Sequence, residues 1–350
     1  MKTQALTLFL LFLSISITNA AVLTVDKAPH AGQYSTLQEA HDAASIGDTI
    51  HVFPSVGAYE AITVTKSLHF MGAGFSKSSD NLKPTLLVGT MIFSKGSDGS
   101  TLESFGRGGG LYVIIDANQI TIKRNLLHRI TIKENHSGTC IIQNYINDNS
   151  QNYVIYVHNN NDVFVANNII WNMYKEKKGY WPARRYGGNG VYASHDSITL
   201  TIYYNIFNVL TKYDNNYNFN SGGYAITASN ANIDIANNIF LGGKISASTG
   251  HFYYNMSNST QLPEQNGNIT NVNMNTVFIN HSSADFHLAE NSPAKKAGKN
   301  GVDMGIYGGS TPFVDNGIPS SPAIIQIEAD HVASKAHGLD ITIKAKSTNE

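Results

Sequence analysis

A single cysteine, Cys140, leaves no scope for an internal disulfide framework. It occupies a strand slot beside Ile141 and Ile142, which reads as a small filler rather than a nucleophile. Charged residues are only 14% of the chain and the formal net charge is −1, which excludes a broadly basic nucleic-acid-binding surface. Helical periodicity is almost absent. Beyond the first twenty residues no apolar run is long enough to cross a bilayer as a helix, so stable membrane insertion is excluded too. What remains is a chain that must be stabilised by stacking short strands.

The first twenty residues read as a signal peptide. Lys2 supplies the positive start, Ala5 to Ile17 the apolar run, and Thr18-Asn-Ala20 the small residues at a cleavage point. Cleavage near Ala20 would leave a protein that is secreted, periplasmic or at the cell surface.

One stretch is rewritten along the chain. Val163-Phe-Val-Ala-Asn-Asn-Ile-Ile170 is nearly copied by Ile233-Asp-Ile-Ala-Asn-Asn-Ile-Phe240. Leu200-Thr-Ile-Tyr-Tyr-Asn-Ile-Phe207 and Ile120-Thr-Ile-Lys-Arg-Asn-Leu-Leu127 follow the same template, and Thr139 to Ile146 and Gly250 to Ser257 follow it loosely. Counting from the second Asn, apolar residues recur at −5, −3 and +2 in the four best copies. Positions two apart share one face of a strand. The odd step from −3 to the Asn requires a bend if that side chain is to face the same way, and Asn tolerates turn geometry. The repeated position is Asn125, Asn144, Asn168, Asn205, Asn238 and Asn255, with gaps of 19, 24, 37, 33 and 17 residues. Strands stacked about 4.8 Å apart would align these side chains into an amide ladder. The period and the strand signals predict a parallel β-solenoid.

Two further stretches complete the pattern. Ser35 to Ala44 places Leu37, Ala40 and Ala44 on one face behind a Ser/Thr start, predicting a short helix that closes the open first coil. Ala284-Asp-Phe-His-Leu, Ser292-Pro-Ala and Asp303-Met-Gly-Ile-Tyr-Gly-Gly309 are similar to the closing segment of many secreted bacterial β-helix proteins, a resemblance that implies the solenoid ends near Pro312. Gly96 to Ser100 and Gly106 to Gly110 read as turn clusters.

Together these stretches resemble the secreted bacterial right-handed parallel β-helix proteins of the pectate-lyase-like class, over nearly the whole chain after Ala20. The resemblance implies an all-β solenoid with an N-terminal capping helix. The expected organisation is a β-helix over 21–315, then a linker and two-strand β tail over 316–350. Ala323 to Glu328 and Leu339 to Ala345 alternate as the two strands of that tail.

Two gaps in the Asn series are too long for a bare coil. The insertions run from Trp171 to Gly190 and from Val209 to Gly223, at equivalent points of consecutive coils. The first carries Trp171, Tyr180, Trp181, Arg184, Arg185 and Tyr186; the second carries Lys212, Tyr213 and Asp214. Aromatic faces stack on sugar rings, and Arg and Lys pair with the carboxylates of acidic glycans. An extracellular, acidic polysaccharide is therefore the expected partner, with Trp171, Tyr180, Trp181, Tyr186, Tyr213 and Asp214 contacting it. The same aromatics would equally serve to pin long loops to the solenoid or to face a protein.

For an enzyme of the resembled class, β-elimination needs a neutralised carboxylate and a base. Lys212, Arg184 and Arg185 are the candidates, with Ca²⁺ a cofactor only in that lyase version. Paired carboxylates for hydrolysis and metal-ligand spacings are not evident. The competing class is a non-enzymatic adhesin or structural solenoid. Nothing in the chain calls for an obligate oligomer, and a monomer is the expectation.

Overall fold

The computed structural model describes residues 20–29, 31–76, 83–150, 152–172, 188–193, 195, 198–209, 223–229, 231–247, 249–321, 323–329 and 341–346. From Thr121 onward each coil is wound from three short strands, and the earlier coils lack the third. Arg129–Ile132, Cys140–Ile142 and Tyr145–Asp148 make one coil, and Tyr153–Val157, Val163–Ala166 and Ile169–Asn172 make the next. We call the three walls sheet B, sheet A and sheet C in that order. Equivalent strands of successive coils pair in parallel: Ile130 with Ile155 and Val191, Ile141 with Val165 and Ile202, Ile146 with Ile170 and Phe207. These inward residues are fully buried, each contributing roughly 2–3 kcal/mol by burial. The chain is a right-handed parallel β-helix.

The first coil is closed by the helix Leu37–Ala43, which buries Leu37, Ala40 and His41. Thr36 caps it: its hydroxyl accepts from the Glu39 N–H while the Glu39 carboxylate accepts from the Thr36 N–H, satisfying two end donors.

Between sheets A and C, the repeated asparagines bond to one another along the solenoid axis. Asn144 Nδ2 donates to Asn168 Oδ1 at 3.1 Å, and Asn205 Nδ2 to Asn238 Oδ1 at 3.0 Å. The row starts where Phe105 N–H donates to Asn125 Oδ1 and runs on past Asn255 to Asn268. Asn268 follows Asn255 without the repeat's strand, so periodicity does not flag it. The bend, however, is not in these asparagines. It lies one residue earlier, where Arg124, Gln143, Asn167, Tyr204, Asn237 and Tyr254 have φ between 53° and 58°. Left-handed backbone costs a non-glycine residue about 1 kcal/mol or more. Each buried amide offsets it with several hydrogen bonds of about 1 kcal/mol.

The C-terminal segment does not close the end of the helix. The last sheet C strand is Met256–Ser257, on which Asn268 and Ile269 stack as a partial further rung, and Leu262 is buried in the core. The chain then doubles back along the outside as a strap. Lys299 N–H donates to Asn237 Oδ1, Asn167 Nδ2 to the carbonyls of Ile306 and Gly308, and Gln143 Nε2 to that of Pro312. Arg124 reaches the Ile318 carbonyl, Ser320 N–H donates to Glu103, and Phe75 N–H donates to the Asn316 carbonyl. Strap numbers rise as coil numbers fall. The left-handed residues, whose side chains the bend turns outward, are the ones that hold it.

The strap explains why sheet C is apolar on both faces. Its inner residues, such as Ile170, Phe207 and Phe240, face the solenoid core. Its outer residues, Ile169, Ile206, Ile239 and Met256, pack against Met274, Phe278, Phe286, Met304 and Ile306 in a second core.

Gly106 to Gly110 form no turn. They lie within strand Thr101–Ile115, which passes from sheet A to sheet B without leaving the wall. A Cβ at Gly106 would stand 2.6 Å from the Phe75 carbonyl oxygen, and one at Gly108 would stand 2.2 Å from the Ala58 Cβ. Close approach, not turning, requires these glycines.

Sheet C strands extend to Asn172 and Val209, which are register partners, and sheet B resumes at Asn189 and Tyr224. The remaining insertion residues and the expected signal peptide lie outside the described residues. Ala323–Ala329 and Ile341–Lys346 pair as an antiparallel two-stranded tail.

Candidate functional site

Alternation along the sheet B strands turns one set of side chains outward. Register aligns Thr131, Tyr156, Tyr192 and Thr227 on consecutive coils. The Tyr156 and Tyr192 rings stack with centroids 4.6 Å apart at 25°. Tyr153 lies 4.9 Å from Tyr192 and donates its hydroxyl to Thr227 Oγ1 at 3.0 Å. His158 lies 4.5 Å from Tyr156, and Tyr224 is 36% exposed on the next coil. Burial raises the Tyr153 and Tyr156 hydroxyls above their ordinary range, so both remain neutral donors. The result is a half-exposed aromatic platform crossing several coils.

Toward the N-terminal coils the platform becomes cationic. Arg129 lies over the Tyr112 ring, 5.7 Å from its centroid. Its Nη2 donates to Asp148 Oδ2 at 2.8 Å and Ser150 Oγ at 3.3 Å, while its Nε has no hydrogen-bond partner among the described residues. Arg107 donates Nη1 to the Asn147 carbonyl. His128 stacks on Tyr112 at 5.4 Å, and Leu111 N–H donates to its Nδ1 at 3.1 Å, which assigns the ring proton to Nε2. Burial, then the neighbouring Arg107, holds the His128 imidazole below its ordinary value. Among the described residues, two guanidiniums and a neutral imidazole against one carboxylate make a site suited to an anion.

Of the residues expected to contact substrate, Trp171 is placed elsewhere. It is on the outer face of sheet C, 6.2 Å from Tyr145 and 5.8 Å edge-on from Phe286. Its strand continues past the ladder, so the indole packs beside the strap instead of projecting. Tyr180, Trp181, Arg184, Arg185, Tyr186, Lys212, Tyr213 and Asp214 lie outside the described residues. Arg107, His128, Arg129, Tyr156 and Tyr192 are not singled out by sequence. Their signal is the alternation in Arg129-Ile-Thr-Ile132, Val154-Ile-Tyr-Val157 and Gly190-Val-Tyr-Ala193. Aligning those strands coil on coil would have stacked their outward residues.

For Ca²⁺ the described residues do not furnish a fit. No group of three or more His, Cys, Asp or Glu among them is arranged to hold a metal ion. Asp148, the one carboxylate in the cationic cluster, already accepts from Arg129, Ser150 and the Asn149 N–H.

No protein-family model matches the chain, and no curated protein matches it. Among solved structures it is similar to the crystal structure of pectate lyase Pel9A, with a TM-score of 0.42 and 15% identity over 83% of this chain and 96% of that one.

Proposed function

We propose that this β-helix is an exported protein that recognises acidic extracellular polysaccharide on the outer face of sheet B and processes it by β-elimination. The observation that carries this reading is the aromatic platform of Tyr153, Tyr156 and Tyr192 running into the Arg107–Arg129 cluster. Aromatic faces take the apolar faces of sugar rings, and guanidiniums pair with uronate carboxylates. The described residues that flank the two insertions, Asn172 and Asn189 and then Val209 and Tyr224, end sheet C strands and begin sheet B strands. In the elimination, Arg184 and Arg185 would neutralise the substrate carboxylate. Lys212 would take the proton alpha to it, a carbon–carbon double bond would form, and the glycosidic carbon–oxygen bond on the next carbon would break with protonation of the leaving oxygen.

The test follows ultraviolet absorbance of the unsaturated product on uronate polysaccharides, with and without Ca²⁺, alongside binding by affinity electrophoresis. Turnover that disappears in a Lys212→Ala, Arg184→Ala, Arg185→Ala variant supports the full reading. Binding that weakens in Arg129→Ala, with no turnover on any substrate, leaves a glycan-binding adhesin. Absence of both binding and turnover overturns the proposal.

A further inference from the structure

Sheet A carries a second aromatic surface, built from other residues and facing out of another wall. Register on its outer face aligns Phe164, Thr201, Asp234 and His251 in one row. The neighbouring row is Ala166, Tyr203, Ala236 and Tyr253. The alanines flanking Tyr203 leave its ring room to lean across the coils. It meets Phe164 edge-on at 6.3 Å and Tyr253 at 6.2 Å, and its hydroxyl bonds to that of Tyr253 across Ala236. Phe164 is 36% exposed. Three rings thus form an oblique strip over four coils, roughly 14 Å long at about 4.8 Å per coil.

Polar groups border the strip. The His251 Nδ1 and Asp234 Oδ1 lie 3.2 Å apart, with their side chains 73% and 44% exposed. A depression of about 540 Å³ opens beside His251 and Tyr253 and is bounded by Pro263 and Asn266, a volume in the range of small-molecule sites. Among the described residues, the cation against the strip is Lys299, 5.0 Å over the Tyr253 ring. The exposed carboxylate beside the rings disfavours an acidic chain, in contrast to the guanidinium-lined end of sheet B. Rings to stack on sugar faces, with a carboxylate–imidazole pair to bond vicinal hydroxyls, match an uncharged pyranose chain.

We propose that the Phe164–Tyr203–Tyr253 strip, ending in the depression beside His251, is a separate docking site for neutral polysaccharide. It would hold the protein on an uncharged glycan while sheet B engages an acidic one.

The experiment is affinity electrophoresis of the full chain in gels containing galactan, hydroxyethyl cellulose or polygalacturonate. Phe164→Ala with His251→Ala removes two exposed groups, and a thermal melt confirms that the variant stays folded. Retardation by a neutral polymer should weaken about tenfold or more in the double variant, as expected for losing an aromatic contact, with retardation by polygalacturonate unchanged. Absence of retardation by both neutral polymers, or equal retardation of variant and parent, overturns the proposal. So does concentration-dependent self-association in sedimentation that the double variant abolishes, because the strip would then be a contact between copies. The polygalacturonate arm with Arg129→Ala reports on sheet B independently, so either site can fail without the other.

Discussion

The side-chain carbonyl of Asn205 accepts from both the backbone N–H and the side-chain N–H of Asn168, at 2.9 and 3.0 Å, across 37 residues of sequence. Asn125 and Asn144, only 19 residues apart, make the same pair of bonds at 3.0 and 3.1 Å. The insertion between coils leaves the amide contact unchanged.

That contact predicts a large effect of removing one amide. Asn168→Ala would orphan the Asn144 backbone N–H, take one of three acceptors from the Asn144 Nδ2, and leave the Ile141 and Ala166 carbonyls without their Asn168 donor, all in a fully buried position. At about 1–3 kcal/mol for each unsatisfied buried group, the loss should reach roughly 3 kcal/mol or more. Urea unfolding should show a clearly lowered midpoint. A shift under about 0.5 kcal/mol, typical of surface positions, would mean that the row contributes little.

The strap makes a second prediction. Phe286 is 2% exposed and packs edge-on against Trp171 and Phe278, so Phe286→Ala should cost about 3–5 kcal/mol. Gly308→Ala should loosen the same segment by a different route. Its Cβ would stand 2.0 Å from the Asp303 carbonyl oxygen and 2.9 Å from the Tyr204 ring. Limited proteolysis should cut both variants between 299 and 320 under conditions that spare the parent.

The histidines set a pH dependence. Burial holds His128 and His51 below the ordinary histidine value, with Arg107 adding to the effect at His128. As pH falls, the unfolded chain therefore takes up these protons before the folded one does. Stability is fully present above the ordinary histidine range, declines through it, and levels off only below the folded values. Unfolding midpoints measured from about pH 7.5 to about pH 5 should fall, and His128→Gln should flatten that slope. A midpoint that rises on acidification would contradict the assignment.

Cys140 offers a chemical probe. Burial raises its thiol to about 11, so at pH 8 the thiolate is about 200-fold scarcer than for an ordinary cysteine. Iodoacetamide should label the native protein slowly and the urea-unfolded protein fast. Equal rates would show that the strand slot is open to solvent.

The sequence exposes the ladder positions because every coil needs the same amide at the same place. It hides where the bend is taken. Arg124, Gln143, Tyr204 and Tyr254 hold left-handed backbone although none is a residue type that advertises it. The strap is hidden for a related reason. Ile169, Ile206 and Ile239 sit directly after the ladder asparagine, next to a residue facing the inner core, and two adjacent apolar residues read only as a buried strand. They do not say what covers the outer one. The closing motif was visible, but its direction was not, because its contacts are with residues up to 240 positions away, as in Ser76 with Asn316. At the candidate site, rows such as Tyr156 with Tyr192 emerge only once coils are stacked, since neither residue has a local partner that marks it.

The backward course of the strap also sets an order of assembly. The coils can wind as the chain emerges from its N-terminus, yet the outer face of sheet C stays bare until residues 274–320 arrive. A chain emerging from a ribosome would display that apolar stripe from the first sheet C strand at Leu126 until the strap follows. The segment that hides it follows the coils it covers, so truncation before residue 274 should yield a wound but aggregation-prone helix.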